Sequence, residues 1–252
     1  MLTNPIPALT LKERNAFVGL LLILLTGLCL PFIPQSEQYH HFADQRTWLG
    51  IPHAADVLTN LIFTVTGLLG LWTLRPTSLQ TTAWSSASWP LWVFFLGLTL
   101  TGPGSSWYHW APTSASLVWD RLPMVIAFAG IVGTFLAQRV SARMGLFSLA
   151  ITLVTGGFGL WQSVSPGNLA WYVTVQFGGL LGILVGLGFT AKDKDPLPWW
   201  TLLGWYALAK VLEAGDGVVW AASGHLFAGH ALKHLAAGMA GVVMLRAIRP
   251  KN

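Results

Sequence analysis

Long apolar runs separated by short polar segments dominate the chain. An α-helix needs about 20 apolar residues to cross the hydrocarbon core of a bilayer. No segment alternates apolar and polar residues with period two over ten-residue blocks, which argues against transmembrane strands. We therefore predict an all-α integral membrane protein with eight transmembrane helices. They lie roughly at Ala16–Ile33, Ala54–Leu74, Trp89–Trp110, Leu117–Gln138, Met144–Trp161, Leu169–Thr190, Leu197–Glu213 and Gly229–Ala247.

The first run could also be a signal peptide, because Lys12 and Arg14 precede it as a basic segment would. No small-x-small cleavage site follows it, however. Cys29 does not lie in a lipoprotein box either, since Leu28 stands where a small residue is needed. We predict a retained helix. The seventh run is the shortest and the most polar of the eight.

The composition supports a membrane protein. Hydrophobic residues make up 54% of the 252 and charged residues 9%, whereas a soluble domain carries roughly 25% charged residues. The formal charge of +5 could suggest nucleic-acid binding, but the basic residues are scattered among loops, so no nucleic-acid partner is expected. The single cysteine excludes an intrachain disulfide.

The distribution of basic residues predicts the orientation in the membrane. Cytoplasmic loops are enriched in Lys and Arg. Eight helices threaded from a cytoplasmic N-terminus leave only Arg46 in an outer loop. They place ten of the fourteen basic residues inside: Lys12, Arg14, Arg75, Arg139, Arg143, Lys192, Lys194, Arg246, Arg249 and Lys251. We therefore expect a bacterial inner-membrane protein with both termini in the cytoplasm.

This topology brings the ionisable residues of distant helices to the outer, periplasmic side of the membrane. Such residues are costly in lipid and usually mark a functional site. The inner helix ends hold nothing comparable. The outer group comprises Asp56, Ser105, His109, Asp120, Glu213, Asp216, His225, His230 and His234.

The spacing of three histidines predicts a metal site. His230 and His234 lie four residues apart, so both point from one face of a helix. His109 is the natural third ligand, and three histidines with one open position describe a catalytic zinc. Two other interpretations stay open. The pair could be hydrogen-bonded inside the bundle, and His109 could cap its helix near Trp107 and Trp110.

The remaining polar residues also have ordinary interpretations. Asp120 could be only the ion-pair partner of Arg121, and Lys233 could snorkel or pair with a carboxylate. Four further histidines are more typical of solvated loops than of the site: His40, His41, His53 and His225.

Taken together, these motifs resemble the alkaline ceramidase family. The resemblance consists of Ser105-x3-His109, Asp120 eleven residues later, and His230-x3-His234 on the last helix. The segment from 56 to 61 also resembles the start of the first core helix of that family, with Asn60 at its Asn. The family belongs to a superfamily of seven-helix membrane hydrolases that includes the adiponectin-type receptors. The resemblance implies a seven-helix domain over residues 36–252 and one extra N-terminal transmembrane helix over 1–35.

The resemblance implies a zinc-dependent amidase that cleaves the N-acyl bond of a ceramide-like lipid. His109, His230 and His234 would hold the zinc, with Asp120 as general base and Ser105 as a hydrogen-bond donor. The lipid substrate would enter from the outer leaflet. Eukaryotic members also have an acidic calcium-binding segment, but the corresponding stretch here, from 42 to 47, carries one acid and one Arg. That departure argues against a calcium site.

Two other functions are compatible with the sequence. A lipid-responsive receptor or regulator could keep the zinc for structure, and turnover of an N-acyl lipid would distinguish it from the hydrolase. A haem-binding electron carrier is the second, although three histidines with Ser and Asp suit zinc better. The sequence does not indicate the headgroup, the chain length, the direction of the physiological reaction or the oligomeric state.

Overall fold

The computed structural model describes residues 8–75, 88–189 and 196–249. Within these ranges the chain is helical, and the only β-type pairings are two isolated bridges, Pro34 with Asn168 and Trp48 with Ile51. The all-α prediction is therefore confirmed for the described part of the chain. Some predicted features lie outside it, namely Thr190 at the end of the sixth apolar run and the basic residues Lys192, Lys194 and Lys251.

The helices follow the apolar runs closely. A short 3₁₀-helix lies at Glu37–His40, and a π-helical stretch at Thr174–Gly178 joins α7 to α8. The described α-helices are α1 Leu11–Cys29, α2 Ala54–Thr59, α3 Leu61–Leu74, α4 Trp89–Trp110, α5 Leu117–Arg139, α6 Ala142–Val164, α7 Ala170–Val173, α8 Gly179–Phe189, α9 Trp199–Ala214, α10 Asp216–Ala222 and α11 Gly229–Ile248.

Five helical segments in the described ranges are long and apolar enough to cross a membrane. They are Ala54–Leu74, Leu117–Arg139, Ala142–Val164, Ala170–Phe189 and Gly229–Ile248. The chain thus has the helices of an integral membrane protein. The count of eight spans and the division into a seven-helix core and one extra helix stay predictions.

Helix α1 differs from its predicted bounds at both ends. It begins earlier because Thr10 and Glu13 form a capping box, in which each side chain bonds to the backbone N–H of the other. It ends earlier because Leu30, which precedes Pro31, has extended backbone angles. Apolar runs do not reveal such caps, so hydropathy alone misplaced the helix by several residues.

Packing places α1 on the outside of the bundle, against α6 and the α7–α8 segment. Glu13 forms an ion pair with Arg143 of α6, at 2.7 Å. A side chain in place of Gly27 would collide with Thr174 and Trp171, so the helices approach closely there. The helix therefore contributes to packing on a face formed by α6, α7 and α8.

Helices α4 and α5 pack closely against each other, and each carries predicted site residues. Gly97 of α4 lies against the backbone of Ala127, and Gly130 of α5 lies against the backbone of Phe94. Small residues at such crossings let helices approach without a cavity, the usual arrangement inside membranes. The two helices are thereby held in one register.

The turn from 111 to 116 fixes the connection between these two helices. Ser116 Oγ donates to the carbonyl of Ala111 at 2.7 Å and accepts from the Thr113 N–H at 3.0 Å. The Thr113 hydroxyl accepts in return from the Ser116 N–H at 3.0 Å. The turn satisfies its own backbone groups, so the end of α4 and the start of α5 are rigidly placed.

Candidate metal centre

The structure brings the three predicted histidines together from two helices. His109 comes from the last turn of α4, and His230 and His234 come from the first turns of α11. One ring nitrogen from each lies within 4.8 Å of the others. All three side chains are buried. This cluster could hold a metal ion.

The ring nitrogens of the cluster are left without ordinary partners. Both nitrogens of His109, and Nε2 of His230, are buried and have no hydrogen-bond partner among the described residues. Leaving such nitrogens unpaired in a dry interior is costly, so buried polar groups nearly always have a partner. A metal ion would satisfy one nitrogen of His109 and Nε2 of His230, and the donor set suits zinc. The alternative in which His109 hydrogen-bonds near Trp107 and Trp110 does not fit these orphaned nitrogens.

A threonine on α2 orients His234. Thr59 Oγ1 lies 3.0 Å from His234 Nδ1 and 2.7 Å from the carbonyl oxygen of Ala55. When the hydroxyl donates its one proton to Ala55, its oxygen accepts from the Nδ1–H of His234, and the lone pair of the imidazole lies on Nε2. A fixed tautomer of this kind is the usual support of a metal-binding histidine.

A buried carboxylate lies in the same layer. Asp56 is fully buried, and its two oxygens have no hydrogen-bond partner among the described residues. Its backbone interacts with the His234 ring. A divalent cation in the histidine cluster would supply positive charge in this layer, which further favours a metal over three empty imidazoles.

Ser105 and Asp120 share a cavity with one histidine of the cluster, His234. Both are buried, and the Ser105 side chain interacts with the Asp120 carboxylate. The Arg121 guanidinium donates to the amide oxygen of Gln35 at 2.7 Å. The Asp120 carboxylate therefore lines the cavity, whereas the Arg121 guanidinium has a different hydrogen-bond partner.

An aromatic ring from the loop between α1 and α2 covers the cluster. The centroid of Phe42 lies 4.6 Å from that of His109 and 4.5 Å from that of His230. The ring also packs edge-on against Tyr108, and Phe42 is 4% exposed. Phe42 thus shields one side of the cluster from water.

The same loop is held in place by charged groups. Arg46 bonds both carboxylate oxygens of Asp44, at 2.8 and 2.6 Å, and donates to the carbonyls of His225 and Leu226 at 3.1 Å each. Burial favours the neutral acid, but the hydrogen bonds from Arg46 prevail and lower the pKa of Asp44. Because the pKa of Asp44 is lowered in the folded protein, its pair with Arg46 stabilises the fold at pH values above the ordinary carboxyl pKa. This stabilisation is lost as the pH falls through the lowered pKa.

Asp216 joins that loop to the metal-binding helix. Its carboxylate accepts from the backbone N–H of Ala43 at 2.9 Å and from that of His230 at 2.8 Å. The Asp216 carboxylate therefore holds both the first turn of α11 and Ala43, the residue that follows Phe42. It also supplies negative charge at the N-terminus of α11, where the helix dipole favours it.

The other histidines lie outside the cluster. His40 bonds Tyr108 at 2.9 Å and Ser114 at 3.1 Å, so it is not the solvated loop residue that the sequence suggested. Of the remaining three, His41 is exposed, His53 packs against Phe42, and His225 packs against Trp220.

An apolar cavity extends from His234. It follows α11 from His234 to Gly241, a rise of about 10 Å at 1.5 Å per residue. Its walls are formed mainly by hydrophobic side chains, among them Phe63, Phe94, Leu98, Ile131, Leu180 and Leu202. Walls of this polarity suit a hydrocarbon chain.

This cavity is also lined by a cluster of charges, the lysine–glutamate cluster, formed by Lys210, Glu213 and Lys233. Lys233 Nζ lies 2.8 Å from one oxygen of Glu213, and Lys210 forms an ion pair with the other. The Tyr39 hydroxyl is 3.5 Å from Glu213. Of the two roles suggested by the sequence for Lys233, the structure shows pairing with a carboxylate.

Sequence reasoning missed several of these contacts. Thr59 lies within the segment that resembles a family motif, and Asp216 was assigned to the outer polar group, but neither received a role. No sequence pattern indicated a role for Phe42, because a single aromatic residue in a loop is common. The pairing of Lys233 with Glu213 depends on how α9 and α11 pack, which no local pattern reveals.

Comparison with family models, with curated proteins and with solved structures gives no match for this chain. The resemblance to the alkaline ceramidase family therefore stays a prediction carried by residues of the chain itself.

Proposed function

We propose that the protein is a zinc-dependent membrane amidase that hydrolyses the N-acyl bond of ceramide-like lipids. The observation that carries this proposal is the buried cluster of three histidines, in which His109 and His230 have unpartnered nitrogens and His234 lines an apolar cavity together with Ser105 and Asp120. The proposed architecture is a seven-helix core over residues 36–252 with one extra helix before it. The site would face the periplasm.

The three histidines would hold the zinc. When bound, zinc would supply Lewis acidity and lower the pKa of water at its open position. His234 presents Nε2 because Thr59 occupies its Nδ1. Phe42 keeps bulk water from the covered side of the cluster.

Asp120 is the proposed general base. Its carboxylate accepts a proton from the attacking water, whose oxygen adds to the acyl carbon. The carboxylic acid so formed returns the proton to the amine nitrogen as the C–N bond breaks. The products are a fatty acid and a sphingoid base or related amine. Burial of Asp120 beside Ser105 supports this role, because a general base must lie within reach of the reacting atoms.

Ser105 and the apolar cavity would position the substrate. The Ser105 hydroxyl can donate a hydrogen bond to the oxygen that gains negative charge during the attack. The acyl chain would lie along α11 in the apolar part of the cavity. Holding the chain there would place the amide at the histidine end of the cavity, next to Asp120 and His234.

The decisive experiment separates catalysis from metal binding. The purified protein should contain about one zinc per chain, and His109→Ala should lose most of it. Asp120→Asn should retain zinc and fold, while hydrolysis of an N-acyl sphingoid lipid falls by roughly 10²-fold or more. Zinc content and product formation are measured on the same preparations, with His41→Ala as a matched exposed control.

Three results would contradict parts of this proposal. Full zinc retention in His109→Ala would remove the metal site. Loss of zinc in Asp120→Asn would make Asp120 a ligand and not the base. A zinc-loaded wild-type protein that turns over no N-acyl lipid would favour the receptor or regulator.

A further inference from the structure

The lysine–glutamate cluster holds more positive than negative charge. Lys210 and Lys233 share the single carboxylate of Glu213. All three side chains line the cavity, and their exposed fractions are 33%, 15% and 18% for Lys210, Lys233 and Glu213. One ammonium charge therefore has no carboxylate of its own in this cluster.

This surplus remains once the metal of the proposed function is counted. Lys210 lies 5.5 Å from the centroid of Phe177, and such a contact stabilises a cation without neutralising it. The carboxylates of Asp56 and Asp120 also act electrostatically on Lys233, and the two positive charges of a divalent metal in the histidine cluster would offset them. Keeping an extra cation in an apolar cavity is costly unless it has a partner.

We propose that the lysine–glutamate cluster binds an anionic group, a carboxylate, sulfonate or phosphate, on the amine portion of the N-acyl lipid. This inference rests on the proposed function and narrows its substrate class. Each ammonium has three donors, of which Glu213 takes one, so donors remain for an anion.

The position of the cluster assigns the anion to the amine portion of the substrate. Lys233 lies between two histidines of the metal cluster in α11, and Glu213 contacts Tyr39 from the covering loop. The cluster is thus at the histidine end of the cavity. The acyl chain needs the apolar walls further along α11, so the part of the substrate beside the lysines is the one attached to nitrogen.

A matched pair of lipids tests this inference by binding. N-oleoylglycine and N-oleoylethanolamine share an acyl chain and an amide, and differ in a carboxylate against a neutral hydroxymethyl group. Affinities are measured by calorimetry on the full-length Asp120→Asn protein in detergent, loaded with zinc, so that turnover does not interfere. We expect N-oleoylglycine to bind roughly tenfold tighter or more, the usual effect of a hydrogen-bonded charge.

Removal of either lysine should abolish this preference while leaving one balanced ion pair. Lys210→Met retains Lys233 with Glu213, and Lys233→Met retains Lys210 with Glu213, so both variants keep a paired carboxylate. Each should bring the affinity ratio of the two lipids close to one. Glu213→Gln removes the negative charge of the cluster, so it should keep or increase the preference for N-oleoylglycine over N-oleoylethanolamine. Lys12→Met, at an exposed position of α1, is the matched control and should change nothing.

Oleate distinguishes the two possible sources of the anion. If oleate binds as tightly as N-oleoylglycine and Lys210→Met weakens both equally, the cluster recognises the fatty-acid product and the inference is wrong. Equal binding of the two amides by the unmodified cluster would also overturn it. The proposed function fails separately: a lysine-dependent preference without hydrolysis by the wild-type protein retains the anion site and removes the amidase. Hydrolysis by the wild-type protein without any preference for N-oleoylglycine would retain the amidase and remove the anion site.

Discussion

At the scale of single residues, the direction of one hydroxyl hydrogen bond decides how His234 can act. When Thr59 Oγ1 donates to the carbonyl of Ala55, it accepts from Nδ1 of His234, and the lone pair of the ring lies on Nε2. The candidate metal site would then depend on a residue outside its set of ligands.

Thr59→Val tests this dependence, because valine has nearly the same shape and no hydroxyl. Nδ1 of His234 then loses its acceptor, and zinc affinity should fall by about tenfold or more, as for other residues that support a ligand. Competition with a chelator of known affinity measures the change. Thr59→Ser keeps the hydroxyl and should bind zinc like the wild type. Unchanged affinity in Thr59→Val would show that the tautomer is set by other contacts.

The residues of the site differ in how far sequence could predict them. The i and i+4 spacing of His230 and His234 fixes their relative placement on any helix, and this part of the prediction needs no tertiary information. His109 could be added because topology brings its helix end to the same side. Phe42 could not, because a loop residue has no periodic pattern that places it.

At the scale of elements, the start of α11 depends on the loop between α1 and α2. Asp216 accepts hydrogen bonds from Ala43 of the loop and from His230 of the helix. Gly229 lies against the carbonyl of Leu212, where a side chain would collide, so α11 begins in close contact with α9. The loop, α9 and α11 therefore form one supporting unit for the histidine cluster.

Asp216→Ala should loosen that unit, because it leaves two backbone N–H groups without their acceptor. Hydrogen bonds to charged groups contribute about 1.5–3 kcal/mol each, and partial exposure of Asp216 reduces this, so we expect a loss of about 1–3 kcal/mol. Thermal unfolding with and without zinc measures it, and amide exchange should rise in the covering loop. Glu37→Ala, in the same loop but with an 85% exposed side chain, is the control. Equal stability of the two variants would contradict the role of Asp216.

Helices were easier to predict than their ends and breaks. Each apolar run corresponds to helix within the described residues, and five of these helical segments are long and apolar enough to cross a membrane. The ends depend on short-range chemistry, such as the capping box of Thr10 and Glu13 at α1. The short helix α10, Asp216–Ala222, escaped prediction because seven residues carry too little periodicity to recognise.

At the scale of the whole molecule, the candidate site occupies one end of the bundle and the basic loops are predicted at the other. The described chain combines this polarity with an apolar cavity that reaches His234 and with an aromatic residue, Phe42, packed on His109. In the proposed reaction the substrate would come from the membrane, and the polar product would leave towards the periplasm. The orientation of the helices therefore decides where the proposed reaction takes place.

Site-specific labelling tests this orientation. Helix α1 has 19 residues and a length of about 28 Å at 1.5 Å per residue, close to the thickness of the hydrocarbon core. If it spans the bilayer with its N-terminus inside, Lys12 faces the cytoplasm and Glu37, just after the helix, faces the periplasm. In a Cys29→Ser background, a membrane-impermeant maleimide should label Glu37→Cys in intact cells. It should label Lys12→Cys only after the inner membrane is permeabilised.

A reporter fused after Asn252 completes the test, because an even number of spans puts both termini on the same side. The positive-inside rule places ten basic residues there, so the reporter should behave as cytoplasmic. Labelling of Lys12→Cys in intact cells would reverse the whole bundle and turn the histidine cluster towards the cytoplasm. A cytoplasmic N-terminus combined with an exported reporter would mean an odd number of spans. In that case α9, whose 16 residues make it the shortest of the eight predicted spans, is the one expected not to cross.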